Sequence, residues 1–307
     1  MSPAAVTADP DATASGYVGR FAPSPTGALH LGSLVAALGS YLDARHHGGR
    51  WLIRIEDLDT PRVIRGCADE ILRTLESFGL TWDGDVTYQS RHIDRYAAAA
   101  EALRLARFTF DCTCSRRLRA ENEERGYPGT CRDKSSVTPP AATRFRIDER
   151  QSVTIEDRFQ GTCVLGLRSL GDVVIRRRDG IFAYQLAVVV DDAAQSITHV
   201  VRGADLLSST PWQICLQRAL GYASPSYAHL PLIVEPDGAK LAKSRRSVSL
   251  EPARAVPLLR TALQLLRQPL PPPGLEFGTA AAVVNWAMRH WNPHAFHGIR
   301  ELPAPRF

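Results

Sequence analysis

Apolar residues along the chain follow strand-like and helix-like spacings in alternation. Val18 and Phe21 indicate a short strand, positions 34–42 repeat apolar residues at helical intervals, and the run Trp51–Ile55 is typical of a buried strand. Helical spacing returns over residues 66–78, 93–106, about 208–220, 256–266 and about 276–291, and strand-like runs return over 171–176 and 197–202. Strands that alternate with helices in this way predict an α/β fold.

Size and composition restrict the class of protein. The 307 residues are enough for a large core and a second domain, and 44% hydrophobic with 22% charged residues is typical of a soluble globular protein. No apolar run approaches the ~18 residues that a membrane-spanning helix needs. Residues 1–16 contain neither basic residues nor an apolar centre, which predicts a disordered leader rather than a signal peptide. We therefore expect a cytoplasmic protein without a membrane partner.

The basic residues are almost all arginines. The net charge of +5 fits a polyanionic partner. Only three of the 37 basic residues are lysines, yet two of them, Lys240 and Lys243, lie close together. A bias toward arginine this strong would be expected to replace them, so a requirement for a slim and mobile ammonium group is indicated at these positions.

The segment 20–33 leads from the first predicted strand into the first predicted helix. It reads Arg20-Phe-Ala-Pro-Ser-Pro-Thr-Gly-Ala-Leu-His-Leu-Gly-Ser33. Its prolines end the strand, its glycines allow a tight turn, and Gly32 or Ser33 would cap the helix. Such a turn at a helix N-terminus forms an anion site, in which His30 would donate to a phosphate oxygen. An ordinary strand–loop–helix connection is the alternative.

Acidic residues follow the predicted strand Trp51–Ile55. Ligands of open α/β sheets gather at the carboxyl ends of strands, so Glu56 is well placed to bind a cationic group. Alternatively, Glu56 and the acids after it cap the following helix and pair with Arg62 or Arg65.

Three of the six cysteines are grouped as Cys112, Cys114 and Cys131, and Tyr127 lies between them. Without a secretory signal, disulfides are not expected. Zinc favours four ligands in a tetrahedral arrangement, so three thiolates with a Tyr127 phenolate, or with water, would form a structural site. Three reduced cysteines packed in a small core are the alternative.

Two polar residues stand in apolar surroundings near predicted strand ends. Tyr184 belongs to the apolar stretch 183–190, and Arg202 ends the predicted strand 197–202. Taken singly, each is explained by core packing with a satisfied hydroxyl or by a surface salt bridge. Together with Arg20 they supply guanidinium groups that suit a substrate with an extra carboxylate.

The segment 20–33 resembles the nucleotide-binding signature of class I aminoacyl-tRNA synthetases, in the form used by the glutamate and glutamine branch. Every position of that pattern is matched, but Ser33 stands where the class-wide pattern has a second histidine. The sequence Lys240-Leu-Ala-Lys-Ser244 resembles the second class signature, a mobile lysine loop, and departs from it at two positions. The resemblance is close over about residues 19–250.

This resemblance implies a fold and a set of site residues. The fold would be a Rossmann-like catalytic domain in two halves, 17–107 and 171–250, with an inserted zinc-bearing subdomain over 108–170 and a helical C-terminal region over 251–307. Glutamate would be bound by Arg20, Phe21, Ala22, Pro23, Ser24, Glu56, Tyr184 and Arg202, with Glu56 on the α-amino group. ATP with Mg²⁺ would be bound by His30, Gly32, Lys240 and Lys243, of which His30 and Lys243 would be catalytic. Zn²⁺ would be held by Cys112, Cys114, Tyr127 and Cys131.

The activity that the resemblance implies is the ATP-dependent activation of L-glutamate, followed by transfer to tRNA. Glutamyl-tRNA synthetases continue into anticodon-reading domains that follow this segment, whereas the chain ends at Phe307. In this it resembles the short glutamyl-queuosine tRNA(Asp) synthetases, which attach glutamate to queuosine in the anticodon loop of tRNA(Asp). A truncated glutamyl-tRNA synthetase that charges a tRNA 3′ end, and a non-catalytic tRNA-binding relative, are the alternatives.

Overall fold

The computed structural model describes residues 16–114, 127–234, 250–271 and 278–303. The predicted leader, up to residue 15, and the segment with Lys240 and Lys243 lie outside these ranges. The strands are β1 (Val18–Phe21), β2 (Arg50–Ile55), β3 (Thr87–Tyr88), β4 (Thr109–Cys112), β5 (Ala142–Phe145), β6 (Ser152–Asp157), β7 (Gly161–Gly166), β8 (Val173–Arg176), β9 (His199–Gly203), β10 (Ser226–Leu230), β11 (Leu232–Val234) and β12 (Glu301–Pro303). The α-helices are α1 (Leu31–His46), α2 (Cys67–Ser77), α3 (Ile93–Leu105), α4 (Tyr184–Ala194), α5 (Thr210–Leu220), α6 (Ala255–Leu265) and α7 (Ala280–Arg289).

Parallel strands form the centre of the fold. β1 pairs with β2, β2 with β3, and β9 with β10, each in parallel register. Thr198, just before β9, donates its backbone N–H to the Val18 carbonyl oxygen at 3.0 Å, which places β9 on the other side of β1. The order is therefore β3–β2–β1–β9–β10. The predicted α/β fold is confirmed, with helices at every position where helical spacing predicted one.

Helices cover both faces of this sheet. α1 packs on β1, β2 and β9, and α6 and α7 pack on α1, whereas α3, α4 and α5 pack on one another on the opposite face. Side chains alternate along a strand, so β2 contributes to two cores. Ile53 and Ile55 belong to the core on the α1 face, and Leu52 belongs to the core on the α4 face.

The apolar stretch around Tyr184 is a helix. The sequence placed Tyr184 near a strand end, and this is wrong, because Tyr184 is the first residue of α4. The three consecutive valines at 188–190 favour a strand by propensity. However, every residue from Leu186 to Asp192 is buried, since neighbouring helices and the sheet surround α4. Tertiary burial therefore overrides the local preference.

An antiparallel unit is inserted between the parallel strands. β4 pairs with β5 and β5 with β8, and β6 and β7 form a hairpin. β8 (Val173–Arg176) pairs with β5, so the sheet of the insert extends beyond residue 170. Phe110, Cys112, Tyr127 and Cys131 form a separate small core next to this sheet.

The carboxylate of Asp43, in α1, joins three distant segments. It is fully buried and accepts hydrogen bonds from Tyr17 Oη at 2.6 Å, Arg158 Nη1 at 2.7 Å and Trp291 Nε1 at 3.2 Å. Burial alone would raise the pKa of Asp43, but the Arg158 guanidinium and these bonds lower it below its ordinary value. Arg158 follows β6 of the insert and Trp291 follows α7, so Asp43 links both to the parallel sheet.

The helices of the described ranges are short, and the longest of them, α1, has 16 residues. Within the described ranges, none combines the length and the apolar character that crossing a membrane requires.

Candidate active site

The loop after β1 is fixed against the end of β2 by backbone hydrogen bonds. The Glu56 N–H donates to the Pro23 carbonyl oxygen at 3.0 Å, and the Ile64 N–H donates to the Pro25 carbonyl oxygen at 2.9 Å. Gly27 has φ +149°, a backbone conformation that favours glycine. The two prolines and this glycine therefore bring the loop to the carboxyl edge of the sheet, where ligands of such sheets bind.

His30 caps α1. The sequence predicted Gly32 or Ser33 as the cap, but the helix begins at Leu31, and His30 Nδ1 accepts the Ser33 N–H at 3.4 Å. An imidazole nitrogen acts here as the acceptor that Ser or Asn more often provides. Because Nδ1 accepts, a neutral His30 carries its proton on Nε2, which is the nitrogen that would donate to an oxygen of a ligand.

A cavity of about 640 Å³ opens at the carboxyl ends of β1, β2, β9 and β10. It brings together all of the predicted glutamate-binding residues and the two predicted ATP-binding residues that the structure describes. These are Arg20, Phe21, Ala22, Pro23, Ser24, Glu56, Tyr184, Arg202, His30 and Gly32. They come from distant parts of the chain, so their convergence is a property of the fold rather than of one local motif.

A cluster of buried charges lies next to the cavity on the β1–β2 side, and its members Arg20 and Glu56 line the cavity. Arg20 Nε lies 3.2 Å from Asp192 Oδ1. Arg54 Nη1 lies 2.8 Å from the same oxygen, and Arg54 Nη2 lies 3.4 Å from Glu56 Oε1. Asp191 Oδ2 is 3.7 Å from Arg54 Nε. Because these two arginines face three carboxylates, the cluster carries one excess negative charge when all five groups are ionised.

The carboxylates of this cluster differ in acidity. Burial raises the pKa of Glu56 to about 7, and the guanidinium groups of Arg54 and Arg20 only partly oppose this effect. Burial also acts on Asp192, but Arg20 and Arg54 lower the pKa of that carboxyl below its ordinary value. Glu56 is therefore the carboxylate that a cationic ligand would stabilise most directly, since it lines the cavity.

Arg202 provides a positive charge on the β9 side of the cavity. Its side chain is only 6% exposed, and its Nη1 donates to Tyr184 Oη at 3.3 Å. Arg202 Nη2 donates to Thr210 Oγ1 at 2.8 Å. Nε also donates to His229 Nε2 at 3.2 Å and Nη2 to the Leu206 carbonyl oxygen at 3.5 Å, so these bonds use four of the five N–H groups and leave one, on Nη1, for a carboxylate.

The alternative for the acids after β2 was that they cap a helix and pair with Arg62 or Arg65. Asp59 is the acid that pairs with Arg62. Asp59 Oδ2 lies 3.6 Å from Arg62 Nη1, and Asp59 Oδ1 lies 2.8 Å from Arg177 Nη1. The Asp59 side chain caps no helix. Glu56 instead faces Arg54, so it belongs to the cavity.

Cys112, at the end of β4, lies together with Cys114 and Cys131, apart from the cavity. Their Sγ atoms all lie within 4.8 Å of one another, with Cys114 and Cys131 at 3.6 Å. Tyr127 Oη is 3.3 Å from Cys112 Sγ and 3.7 Å from Cys114 Sγ, and it accepts the Cys131 N–H at 2.9 Å. Two sulfur ligands of one tetrahedral zinc stand about 3.8 Å apart. The four donor atoms therefore fit a closed zinc site.

Sequence reasoning missed several groups around the cavity. Arg54, Asp191 and Asp192 are buried ionic partners, and His229 and Thr210 contact Arg202. An arginine in the middle of the apolar strand Trp51–Ile55 was the available signal, because such a side chain must find an acid when buried. Nothing in the sequence pairs His229 with Arg202.

The chain is similar to known proteins over most of its length. The family model described as tRNA synthetases class I (E and Q), catalytic domain, matches residues 17–263. The glutamyl-Q tRNA(Asp) synthetase of Dechloromonas aromatica (strain RCB) is 52% identical over 286 residues, which cover 90% of this chain and 94% of that protein. The glutamyl-Q tRNA(Asp) synthetase of Pseudomonas aeruginosa (strain PAO1) is 50% identical over 293 residues, which cover 95% of this chain and 99% of that protein.

Solved structures show the same fold. The crystal structure of a glutamate tRNA ligase from Elizabethkingia meningosepticum, in complex with its amino acid, superposes with a TM-score of 0.76 at 25% identity. The superposition covers 93% of this chain and 66% of that longer one. From the matched catalytic domain and from relatives about half identical over nearly their whole length, the chain belongs to the class I tRNA synthetase family for glutamate and glutamine, in the group of the glutamyl-Q tRNA(Asp) synthetases.

Proposed function

We propose that this chain activates L-glutamate with ATP and transfers the glutamyl group to queuosine in the anticodon loop of tRNA(Asp). The observation that carries this proposal is the cavity at the carboxyl edge of the sheet, which is lined by the Glu56 carboxylate and by the Arg202 guanidinium. The names of relatives about half identical to this chain support the choice of acceptor.

The charges define how glutamate would lie in the cavity. Its α-ammonium would bind Glu56, where it would neutralise the excess charge of the buried cluster. Its side-chain carboxylate would bind the Arg202 guanidinium, with the Tyr184 hydroxyl close by at 3.3 Å from Nη1. Arg202 Nη1 and the Tyr184 hydroxyl could each donate a hydrogen bond to this carboxylate, and the positive charge of Arg202 favours an ionised carboxylate over an uncharged amide. This arrangement supports glutamate over glutamine.

The phosphates of ATP would lie at the N-terminus of α1. The α-carboxylate of glutamate attacks the α-phosphorus as the bond to the pyrophosphate oxygen breaks, which gives glutamyl-adenylate and pyrophosphate. A hydroxyl of queuosine then attacks the glutamyl carbonyl carbon, and AMP leaves. Mg²⁺ bound with ATP would neutralise phosphate charge. His30 would donate from Nε2 to phosphate oxygens, with Gly32 beside it on the cavity wall. Lys240 and Lys243, which lie outside the described residues, would supply further positive charge. Removing one such donor costs about a hundredfold in rate, which is our expectation for Lys243→Ala.

The cysteine cluster would hold a structural zinc. Cys112, Cys114, Cys131 and Tyr127 supply three thiolates and a phenolate, and the cluster lines no part of the cavity. Bound zinc would supply folding free energy to the small core of the insert. Burial raises the pKa of the Tyr127 phenol, so its ionisation would depend on the metal.

The acceptor can be identified by locating the transferred glutamate. The protein is incubated with radiolabelled glutamate, MgATP and bulk tRNA, and the tRNA is then cleaved into anticodon and acceptor fragments. Label in the anticodon fragment, absent when the tRNA lacks queuosine, is the expected result. Label on the terminal adenosine would identify a truncated glutamyl-tRNA synthetase instead. No label, together with no glutamate-dependent ATP–pyrophosphate exchange, would identify a non-catalytic relative.

A further inference from the structure

A chain of buried polar groups lies behind Arg202. Asp157, the last residue of β6, and His229, in β10, have side chains that are 0% exposed. His229 Nδ1 lies 2.5 Å from Asp157 Oδ2, and His229 Nε2 lies 3.2 Å from Arg202 Nε. One imidazole therefore connects a carboxylate of the inserted unit to the guanidinium that lines the cavity.

The contacts determine which nitrogen of His229 carries the proton. Arg202 Nε–H can only donate, so a neutral His229 accepts this bond at Nε2, where Thr210 Oγ1 also lies at 3.2 Å and can donate its hydroxyl proton. The proton of the neutral ring is therefore on Nδ1, where it is donated to Asp157. Burial lowers the pKa of His229, which keeps the ring neutral between Asp157 and Arg202, with Asp205 as the other acidic group in its field.

The two oxygens of Asp157 have separate partners. Oδ1 accepts the backbone N–H groups of Phe159 at 3.0 Å, Gln160 at 2.8 Å and His229 at 3.1 Å. Oδ2 bonds the imidazole. The bonds to Oδ1 hold the backbone of the loop after β6 and of His229, whereas the bond to Oδ2 acts only on the imidazole ring of His229. A substitution that changes Oδ2 alone can therefore distinguish the two roles.

Three nitrogens of Arg202 are each held by a different group. Nε donates to His229, Nη1 to Tyr184 and Nη2 to Thr210. From this geometry we infer that Asp157 and His229 are positioning residues for the amino-acid substrate: they fix the imidazole tautomer, and the imidazole holds the guanidinium of Arg202 in the orientation that binds the side-chain carboxylate of glutamate. This inference rests on the proposed function. It also gives the inserted unit a part in amino-acid recognition.

The first test is Asp157→Asn. The amide oxygen can keep the three backbone bonds, but the amide NH₂ must donate to His229 Nδ1. The proton then moves to Nε2, where it meets the Arg202 N–H. Two buried N–H donors, on His229 Nε2 and Arg202 Nε, then face each other where a hydrogen bond stood. We therefore expect the KM for glutamate to rise about 10- to 100-fold. The KM for ATP should stay within about twofold of wild type, since the ATP site is on α1.

A matched control comes from the same inserted unit. Asp148 is exposed and accepts the Arg150 N–H at 3.1 Å, so Asp148→Asn removes an equal charge far from the imidazole. We expect its KM for glutamate to equal that of wild type. An unchanged KM for glutamate in Asp157→Asn would overturn the inference, as would equal increases in the KM values for glutamate and ATP.

Substitutions of His229 directly test the nitrogen that accepts the Arg202 Nε–H. They remain informative even if Asp157→Asn does not fold. In His229→Gln the amide oxygen can take the place of Nε2, whereas His229→Leu provides no acceptor, and both remove the bond to Asp157. We expect the KM for glutamate to rise at least about tenfold more in the leucine variant. Equal KM values in the two variants would overturn the inference.

The tautomer can be measured without turnover. In protein labelled with ¹⁵N-histidine, the signals lost in His229→Gln identify the ring, and two-bond couplings show which nitrogen is protonated. We expect a proton on Nδ1 in wild type and on Nε2 in Asp157→Asn. A proton on Nε2 in wild type would overturn the inference even if the enzyme is active. Absence of glutamate-dependent exchange in wild type would instead contradict the proposed function.

Discussion

The raised pKa of Glu56 predicts that glutamate binding depends on pH. Burial raises this pKa from 4.5 to about 7, so the carboxyl is largely protonated in the empty site below neutrality. The proposed partner of Glu56 is the α-ammonium of glutamate, which stays protonated over the same range. Binding then requires the ionised carboxylate, and the KM for glutamate should fall as the pH rises through 7.

The magnitude follows from the titration of one group. The apparent KM scales with 1 plus the ratio of protonated to ionised Glu56, which for a pKa of about 7 is about 11 at pH 6 and about 1.1 at pH 8. The KM for glutamate should therefore fall about tenfold between these pH values. The suitable assay is glutamate-dependent ATP–pyrophosphate exchange at saturating MgATP, with glutamate varied at each pH.

The variant Glu56→Gln tests whether this residue causes the effect. The amide keeps the size of the side chain but has no charge, so the KM should be high and should no longer change with pH. Glu156→Gln is the control, because the Glu156 side chain is exposed and, among the described residues, its carboxylate bonds only Thr162 Oγ1, at 2.7 Å. A wild-type KM that differs less than about twofold between pH 6 and pH 8 would refute the reasoning, and so would a slope that persists in Glu56→Gln.

The contribution of Glu56 to folding stability should depend on pH in the opposite direction: glutamate binding improves as the pH rises, whereas this contribution decreases. A carboxyl whose pKa is raised in the folded state binds its proton more tightly there than in the unfolded chain. The contribution of Glu56 to stability is therefore lost as the pH rises from 4.5 through about 7. The shift corresponds to about 3 kcal/mol, so Glu56→Gln should unfold at higher urea concentration than wild type at pH 8. At pH 4 the two midpoints should be nearly equal.

Other residues give further predictions. In Arg54→Lys one ammonium cannot keep all of the bonds that the guanidinium makes to Asp192, Gln195 and Glu56, so we expect the free energy of unfolding in urea to fall by about 3 kcal/mol; a loss below about 1 kcal/mol would contradict the role of the buried cluster. Asp43→Asn should lower the free energy of unfolding by about 2 kcal/mol at pH 7. Because the pKa of Asp43 is lowered in the folded state, that difference should shrink as the pH falls below about 4. Cys114→Ser should lower the bound zinc, measured by elemental analysis, and the melting temperature; a wild-type protein purified without zinc would contradict the metal site.

Much of the fold and of the cavity could be predicted from local patterns. The loop at 20–33 and the strand Trp51–Ile55 carry their signals within a few residues, because prolines, glycines and apolar runs act on the backbone directly. Glu56 could be placed by the rule that ligands lie at the carboxyl ends of parallel strands. The residues assigned to the cavity line it, and their roles stay predictions.

What could not be predicted depends on contacts between distant residues. Asp157 and His229 are 72 positions apart, and either residue alone is unremarkable in sequence. The element type at 184–194 was missed because valines favour strands, while the surrounding helices bury this segment as α4. The cap at His30 was missed because histidine is not among the usual N-cap residues.

The position of Asp43 has a consequence for the integrity of the whole chain. Its carboxylate bonds Tyr17, Arg158 and Trp291, so the departure of any one of these segments removes a hydrogen bond from a buried carboxylate, and the departure of Arg158 also leaves its charge unpaired. The first strand, the inserted unit and the C-terminal helices are therefore expected to unfold as one cooperative unit. A cut between them would not release a half-molecule able to refold and work alone.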